Sequence, residues 1–199
     1  MFYVGFAMRR LLPLAAILAF LTIGVTPSLA ADDKDRVICF SLGNENYKDK
    51  DKFDPGLAAC SRMINSGHFK DKALAAIYRA RGSWKQKKGE LDAALADYGI
   101  SIRMEPGNVE SYDYRADVYQ QQGDYDRALA DYNMSSRIDP TYAAAYYSRG
   151  LIFEKKGDVE KARAEYNSAL AVPTINRIAQ WAQDNARVRL KALAEEGKK

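Results

Sequence analysis

The sequence predicts an all-α protein, a solenoid of stacked helix hairpins, and three observations predict it. Tyr98, Tyr132 and Tyr166 lie 34 residues apart. The same neighbours recur around each: an alanine four before (Ala94, Ala128, Ala162), a glycine nine before (Gly89, Gly123, Gly157) and an acid immediately before (Asp97, Asp131, Glu165). A proline closes each period, at Pro106, Pro140 and Pro173. A fixed period of this length marks supersecondary units that bury their apolar faces by stacking. A stack presents a continuous binding surface rather than a closed catalytic pocket.

Residues 1–30 read as a signal peptide. Arg9 and Arg10 precede an apolar run from Leu11 to Val25, Thr26-Pro27-Ser28 breaks it, and Ser28-Leu29-Ala30 supplies small residues for cleavage before Ala31. The run is about 15 residues, short of the roughly 20 that span a bilayer. An uncleaved anchor is the alternative, and Met8 is an alternative start. The expected location is therefore periplasmic or secreted in a bacterium, with no membrane contact after cleavage. Of the chain's 30 basic residues the leader takes two, leaving 28 against 26 acids, a net charge of +2. That balance speaks against nucleic acid, which calls for a basic stripe.

Residues 31–74 are irregular apart from one helical signal. Leu57, Cys60 and Ile64 recur at helical spacing over 53–66, with Asp54 as a candidate cap and Pro55 in the first turn. Asn44–Asp54 reads as a polar loop. Cys39, on a short helix with Val37 and Ile38 or on an extended arm, and Cys60 are the only cysteines. In an oxidising compartment a disulfide between them is expected. Closing a loop of about 21 residues contributes roughly 3 kcal/mol.

The repeats follow as 75–108, 109–142 and 143–173, each two antiparallel helices. The glycine releases the chain after the first helix, and the acid after it (Glu90, Asp124, Asp158) suits the start of the second. Proline cannot continue the second helix. Gly82, Ala116 and Gly150, with the repeated alanines, allow close helix approach. The ladder tyrosines, and Tyr78, Tyr112 and Tyr146, are expected to fill the space between units. After Pro173, Thr174 is a candidate cap for a last helix over 175–195 with the apolar stripe Ile175, Ile178, Ala182, Ala186, Leu190 and Leu193. Arg177, Arg187, Arg189 and Lys191 give that helix a polar outside, as the open end of a solenoid needs.

These residues resemble the tetratricopeptide repeat (TPR) family, in the manner of small exported bacterial TPR proteins. The second unit shows Tyr112, Ala116, Tyr119, Gly123, Ala128, Tyr132 and Pro140. The third shows Tyr146, Gly150, Phe153, Gly157, Ala162, Tyr166, Ala169 and Pro173. The family's leucine is replaced throughout, by Arg81, Arg115 and Arg149, Lys85 replaces an aromatic, and Ser101 and Ser135 replace an alanine. The resemblance implies a right-handed α-solenoid of about three TPR hairpins. A degenerate N-terminal half-repeat, with 53–66 as its second helix, precedes them, and a capping helix and tail follow over 174–199.

The resemblance also implies that the first helix of each unit lines a concave groove for a peptide or protein segment. By position, the groove residues are Ala76, Arg79, Ala80, Ser83, Gln86 and Lys87 in the first unit. Glu110, Asp113, Tyr114, Asp117, Gln120 and Gln121 follow in the second, and Ala144, Tyr147, Ser148, Leu151, Glu154 and Lys155 in the third. Arg79 and Lys87 make one end basic, while Glu110, Asp113 and Asp117 make the middle acidic. Tyr114 and Tyr147 are expected as exposed aromatic anchors. The asparagines of the family's clamp for chaperone tails are absent beside Arg79.

No catalytic constellation appears, and the expected function is a non-enzymatic interaction scaffold without cofactor or metal. His68 is the only histidine and follows Gly67 in a turn. Two cysteines and one histidine fall short of a zinc site. Asp49, Asp51 and Asp54 lack the glycine and closing glutamate of a calcium loop. Asp97, Asp131 and Glu165 are expected to pair with the recurring arginines at the surface. The alternative function is a structural one, a self-associating homo-oligomeric solenoid within a cell-envelope assembly.

Overall fold

Gly89, Gly123 and Gly157 adopt positive φ of 88°, 78° and 78°, the left-handed turn that ends a helix without a Cβ clash. The chain reverses at each, and a hairpin results. In this computed structural model, which describes residues 27–41 and 53–196, the helices are α1 (Pro27–Cys39), α2 (Phe53–Ser66), α3 (Asp71–Lys88), α4 (Leu91–Met104), α5 (Val109–Gln121), α6 (Tyr125–Ile138), α7 (Ala143–Lys155), α8 (Val159–Ala171) and α9 (Arg177–Glu196). Most of the leader, residues 44–52 of the loop expected over Asn44–Asp54, with Asp49 and Asp51, and the tail 197–199 lie outside the described residues, while Phe53 and Asp54 already belong to α2.

Helices pair as α1–α2, α3–α4, α5–α6 and α7–α8, and each hairpin packs on the next to form an α-solenoid. Across units α1 touches α3, α3 touches α5, and α7 touches α9. The odd-numbered helices are therefore the inner row. Asn108, Asp124 and Asp158 cap α5, α6 and α8 through their side chains. Glu90 does not cap α4, and its longer side chain reaches Lys88 instead.

The tyrosine ladder packs where the small residues leave room. A Cβ added at Gly82 would lie 2.7 Å from the Tyr98 ring, and one at Gly150 would overlap Tyr166. Ala116 holds the equivalent place beside Tyr132. All three tyrosines are fully buried. Each also meets the following unit: Tyr98 packs with Val118, Tyr132 with Ala145 and Ile152, and Tyr166 with Ala182 of α9. Tyr78, Tyr112 and Tyr146 each lie under the guanidinium three residues on, Arg81, Arg115 and Arg149.

Those arginines stand where the resembled repeats carry leucine, and their contacts explain the difference. Arg81 grips Asp97 through two hydrogen bonds of 2.8 Å, Arg115 grips Asp131 at 2.7 and 2.8 Å, and Arg149 grips Glu165. Each pair ties the two helices of one hairpin. Asp97 and Asp131 are buried, so these are not the surface pairs expected from the sequence. The charge-assisted fork gives direction that a leucine contact lacks.

The N-terminal unit is a whole hairpin, because α1 joins α2. The Cys39–Cys60 disulfide links them, and Arg62 holds the buried Asp35 at 2.6 and 2.8 Å. Trp84 of α3, fully buried against Gly56, donates its indole N–H to the Cys39 carbonyl at 2.8 Å. At the other end α9 begins at Arg177, two residues later than expected. Asn176, not Thr174, accepts the Ala179 N–H. The buried stripe is Ala179, Ala182, Gln183, Ala186 and Leu193, while Ile175 and Ile178 are exposed. Gln183 turns inward to donate to the carbonyls of Ala169 and Val172 at the end of α8.

Arg115→Met is expected to destabilise the protein by about 3 kcal/mol or more, because it strands the buried Asp131 carboxylate. Adding Asp131→Leu should restore most of that loss in thermal or urea unfolding. Additive losses in the double variant would contradict the pairing.

Candidate functional site

The inner row presents its open face along α3 and α5. A cavity of about 140 Å³ lies there, lined by Phe40, Ala76, Arg79, Ala80, Ser83, Glu110 and Tyr114. It gathers predicted groove residues of two units with Phe40, which the sequence did not single out because it stands outside the repeat. An apolar cavity of about 170 Å³ continues past Phe40 along Met63, Phe69, Ala73 and Ile77. Arg79 is held across the cavity mouth by Asn108 at 2.9 Å and Glu110 at 2.8 Å. Lys87 is exposed farther along α3. Tyr114 packs on the Tyr98 ring, with centroids 6.0 Å apart.

Ladder hydroxyls reach through to this same face. Tyr98 donates to Gln86 at 2.8 Å and to Ser83 at 3.1 Å. Tyr132 donates to Asp117 at 2.5 Å and Gln120 at 3.1 Å. Tyr166 donates to Glu154 at 2.7 Å. Ser83, Gln86, Asp117, Gln120 and Glu154 thus have a packing task as well as a place in the groove. A buried tyrosine needs such an acceptor.

The third unit is closed. Tyr147, expected to be an exposed anchor, is 7% exposed and sits under the edge of Trp181 of α9, with centroids 5.2 Å apart. Leu151 packs into the C-terminal core, and Glu154 pairs with Arg189. Burial opposes ionisation of Glu154, but the bonds from Arg189 and Tyr166 prevail and hold its carboxyl below the usual range. The capping helix therefore occupies the groove position of α7, and Tyr147, Leu151 and Glu154 are not free to meet a ligand. Sequence periodicity alone carried no sign of this, because it treats all three units alike.

The acidic middle of the groove lies on α5. Glu110, Asp113, Tyr114 and Asp117 share one face at helical spacing. Asp113 is buried, and its Oδ2 accepts the Tyr142 hydroxyl from the start of α7 at 3.0 Å. Burial first, and the Asp117 charge second, push the Asp113 carboxyl up to about 8. Burial raises Asp117 too, against the Tyr132 hydrogen bond. The Tyr132 and Tyr142 hydroxyls are pushed up by burial and by these carboxylates, so they remain donors. Among the described residues no cluster fits a metal ion, and no helix is long and apolar enough to cross a membrane. His68 lies in the turn after α2, far from this face in sequence, with its N–H on Ser66 Oγ.

Comparison with known proteins places this geometry. Residues 116–157 match a family described as TPR repeat, and residues 143–173 match one described as tetratricopeptide repeat. No curated protein matches the chain. Among solved structures, a tetratricopeptide repeat protein from Parabacteroides merdae aligns with TM-score 0.61 at 18% identity, covering 85% of this chain and 68% of that one. MamA aligns with TM-score 0.55 at 20% identity, covering 70% and 86%. The first TPR of Spaghetti (RPAP3), bound to the HSP90 peptide SRMEEVD, aligns with TM-score 0.50 at 23% identity, covering 63% and 99%. At these identities the likeness is one of fold.

The raised Asp113 carboxyl has a measurable consequence. Between about pH 4 and pH 8 the folded protein keeps a proton there that the unfolded chain, with an ordinary carboxylate near 4, has released. Stability therefore falls as pH rises through that window. Asp113→Asn stays neutral throughout. Its melting temperature is expected to fall less than that of the wild type between pH 5 and 9, and to exceed it at pH 9. Parallel curves for the two proteins would contradict the assignment.

Proposed function

We propose that this chain, a tetratricopeptide repeat protein, is an exported, non-enzymatic scaffold that holds an extended protein or peptide segment in the groove of α3 and α5, with Phe40 of the α1 end as a flank. The observation that carries this is the open cavity where Ala76, Arg79, Ala80, Glu110 and Tyr114 converge, on a face whose equivalent in the third unit is closed by α9. An open inner face on a solenoid is surface kept for a partner, since the same fold has the means to cover it. Small and aromatic side chains beside fixed charges supply contact area with orientation.

Two further facts support the reading. The first TPR of Spaghetti, alike in fold, is bound to a peptide. The leader features of residues 1–30 and the Cys39–Cys60 disulfide suit an oxidising compartment outside the cytoplasm. The groove does not suit the acidic peptide SRMEEVD bound to that protein, because Glu110, Asp113 and Asp117 would repel it.

A photo-reactive amino acid tests the site. Placed at Ala76, inside the groove, it is expected to crosslink a discrete partner in periplasmic extract. Placed at Ala130, exposed on α6, it is expected to crosslink none. Equal crosslinking from both positions, or none from Ala76, would overturn the proposal.

A further inference from the structure

Among the described residues, buried carboxylates are matched by arginine, with one exception. Asp35 has Arg62, Asp97 has Arg81, and Asp131 has Arg115. Asp113 is equally buried, at 7% exposure, yet it receives only the neutral Tyr142 hydroxyl on Oδ2, and its Oδ1 has no hydrogen-bond partner. Asp117, one turn on, likewise has tyrosine and not a cation. Among the described residues no ion pair reaches either group. Arg79, across the groove, is engaged by Asn108 and Glu110.

A buried carboxylate oxygen without a donor costs the desolvation of that atom and returns nothing, so native structures keep few of them. Its position on α5 says what is missing. Asp113 shares its helix face with Glu110 and Tyr114, which line the open cavity, and with Asp117. Glu110 and the Tyr114 ring line this cavity of about 140 Å³, and with Asp113 and Asp117 on the same face of α5 behind them they favour a cation. Carboxylates bind ammonium or guanidinium through charge-assisted hydrogen bonds, and the ring adds a π face.

We propose that the α5 face of the groove takes one cationic side chain, a lysine or arginine of the bound segment, with Asp113 Oδ1 as an acceptor completed only by the ligand. This rests on the groove assigned above and names the chemistry that the groove recognises. Asp117 and Glu110 supply the surrounding negative charge, and Tyr114 supplies the aromatic wall. The stem of the incoming side chain lies over Ala76 and Ala80. A bound cation supplies the positive charge that neither carboxyl receives from the protein, and so takes the place of the proton that burial keeps on Asp113. An anionic side chain at this position meets only repulsion, which makes the site selective as well as attractive.

A displayed library of random decapeptides, selected on the full-length protein, tests this and needs no identified partner. The wild type is expected to enrich peptides bearing lysine or arginine at one fixed position. Asp113→Asn with Asp117→Asn should lower that enrichment at least fivefold while peptides are still captured. Glu110→Gln, which leaves the buried pair intact and frees Arg79 to repel a cation, should lower it as well and serves if the double variant does not fold. If the wild type selects peptides without a basic residue and Tyr114→Ala abolishes their capture, the cation site is wrong and the groove stands. If the wild type selects no motif, both readings fall.

Discussion

The hydroxyl of a ladder tyrosine is the interaction on which the rest of this structure depends. The ring must lie against a residue with little or no side chain, which fixes Gly82, Ala116 and Gly150 on the inner helix of each hairpin. The buried oxygen at its tip then needs an acceptor, and the acceptor can come only from that same inner helix. Gln86 and Ser83, Asp117 and Gln120, and Glu154 are the results. The packing core thereby dictates polarity on the groove face. In the second unit it installs a carboxylate there, and a second carboxylate one turn away gives the groove its acidic middle.

Much of the fold was legible in the sequence because the constraints that make it repeat every 34 residues. Turning glycines need positive φ, capping acids need a free N–H, and tyrosines need small neighbours, so each leaves a fixed residue at a fixed place. The Arg81–Asp97, Arg115–Asp131 and Arg149–Glu165 pairs were visible as two separate periodicities. Their pairing was expected, but at the surface; the burial of Asp97 and Asp131 was not, because a sequence spacing of 16 residues carries no helix-surface rule for where the pair sits. Burial of Asp97 and Asp131 follows from that geometry, as the arginine brings its partner's charge into the hairpin instead of leaving it in water.

The site was less legible, since a face common to all units is altered by what lies at the ends. Tyr147 carries the same position as Asp113, one period apart, yet Trp181 covers it. That cover arises because α9, capped by Asn176, turns Ala179 and Gln183 inward beside Ala182 and leaves Ile175 and Ile178 outside. Phe40 escaped notice for the opposite reason: it belongs to the unrepeated end, where the Cys39–Cys60 link and the Trp84 hydrogen bond anchor α1. Unrepeated residues thus close one end of the groove and furnish the other.

Function follows from this asymmetry. Ion pairs and tyrosine hydroxyls account for most polar groups of the inner row, and the capping helix accounts for the third unit. What stays open is the surface of α3 and α5 around Ala76, Arg79, Glu110 and Tyr114. The central claim is that a bound segment lies on that surface and nowhere on α9. Hydrogen exchange with and without a selected peptide measures this most directly. Slowed exchange confined to 76–83 and 110–117 is the predicted result. Protection over 177–193 with α3 and α5 unchanged would contradict the account.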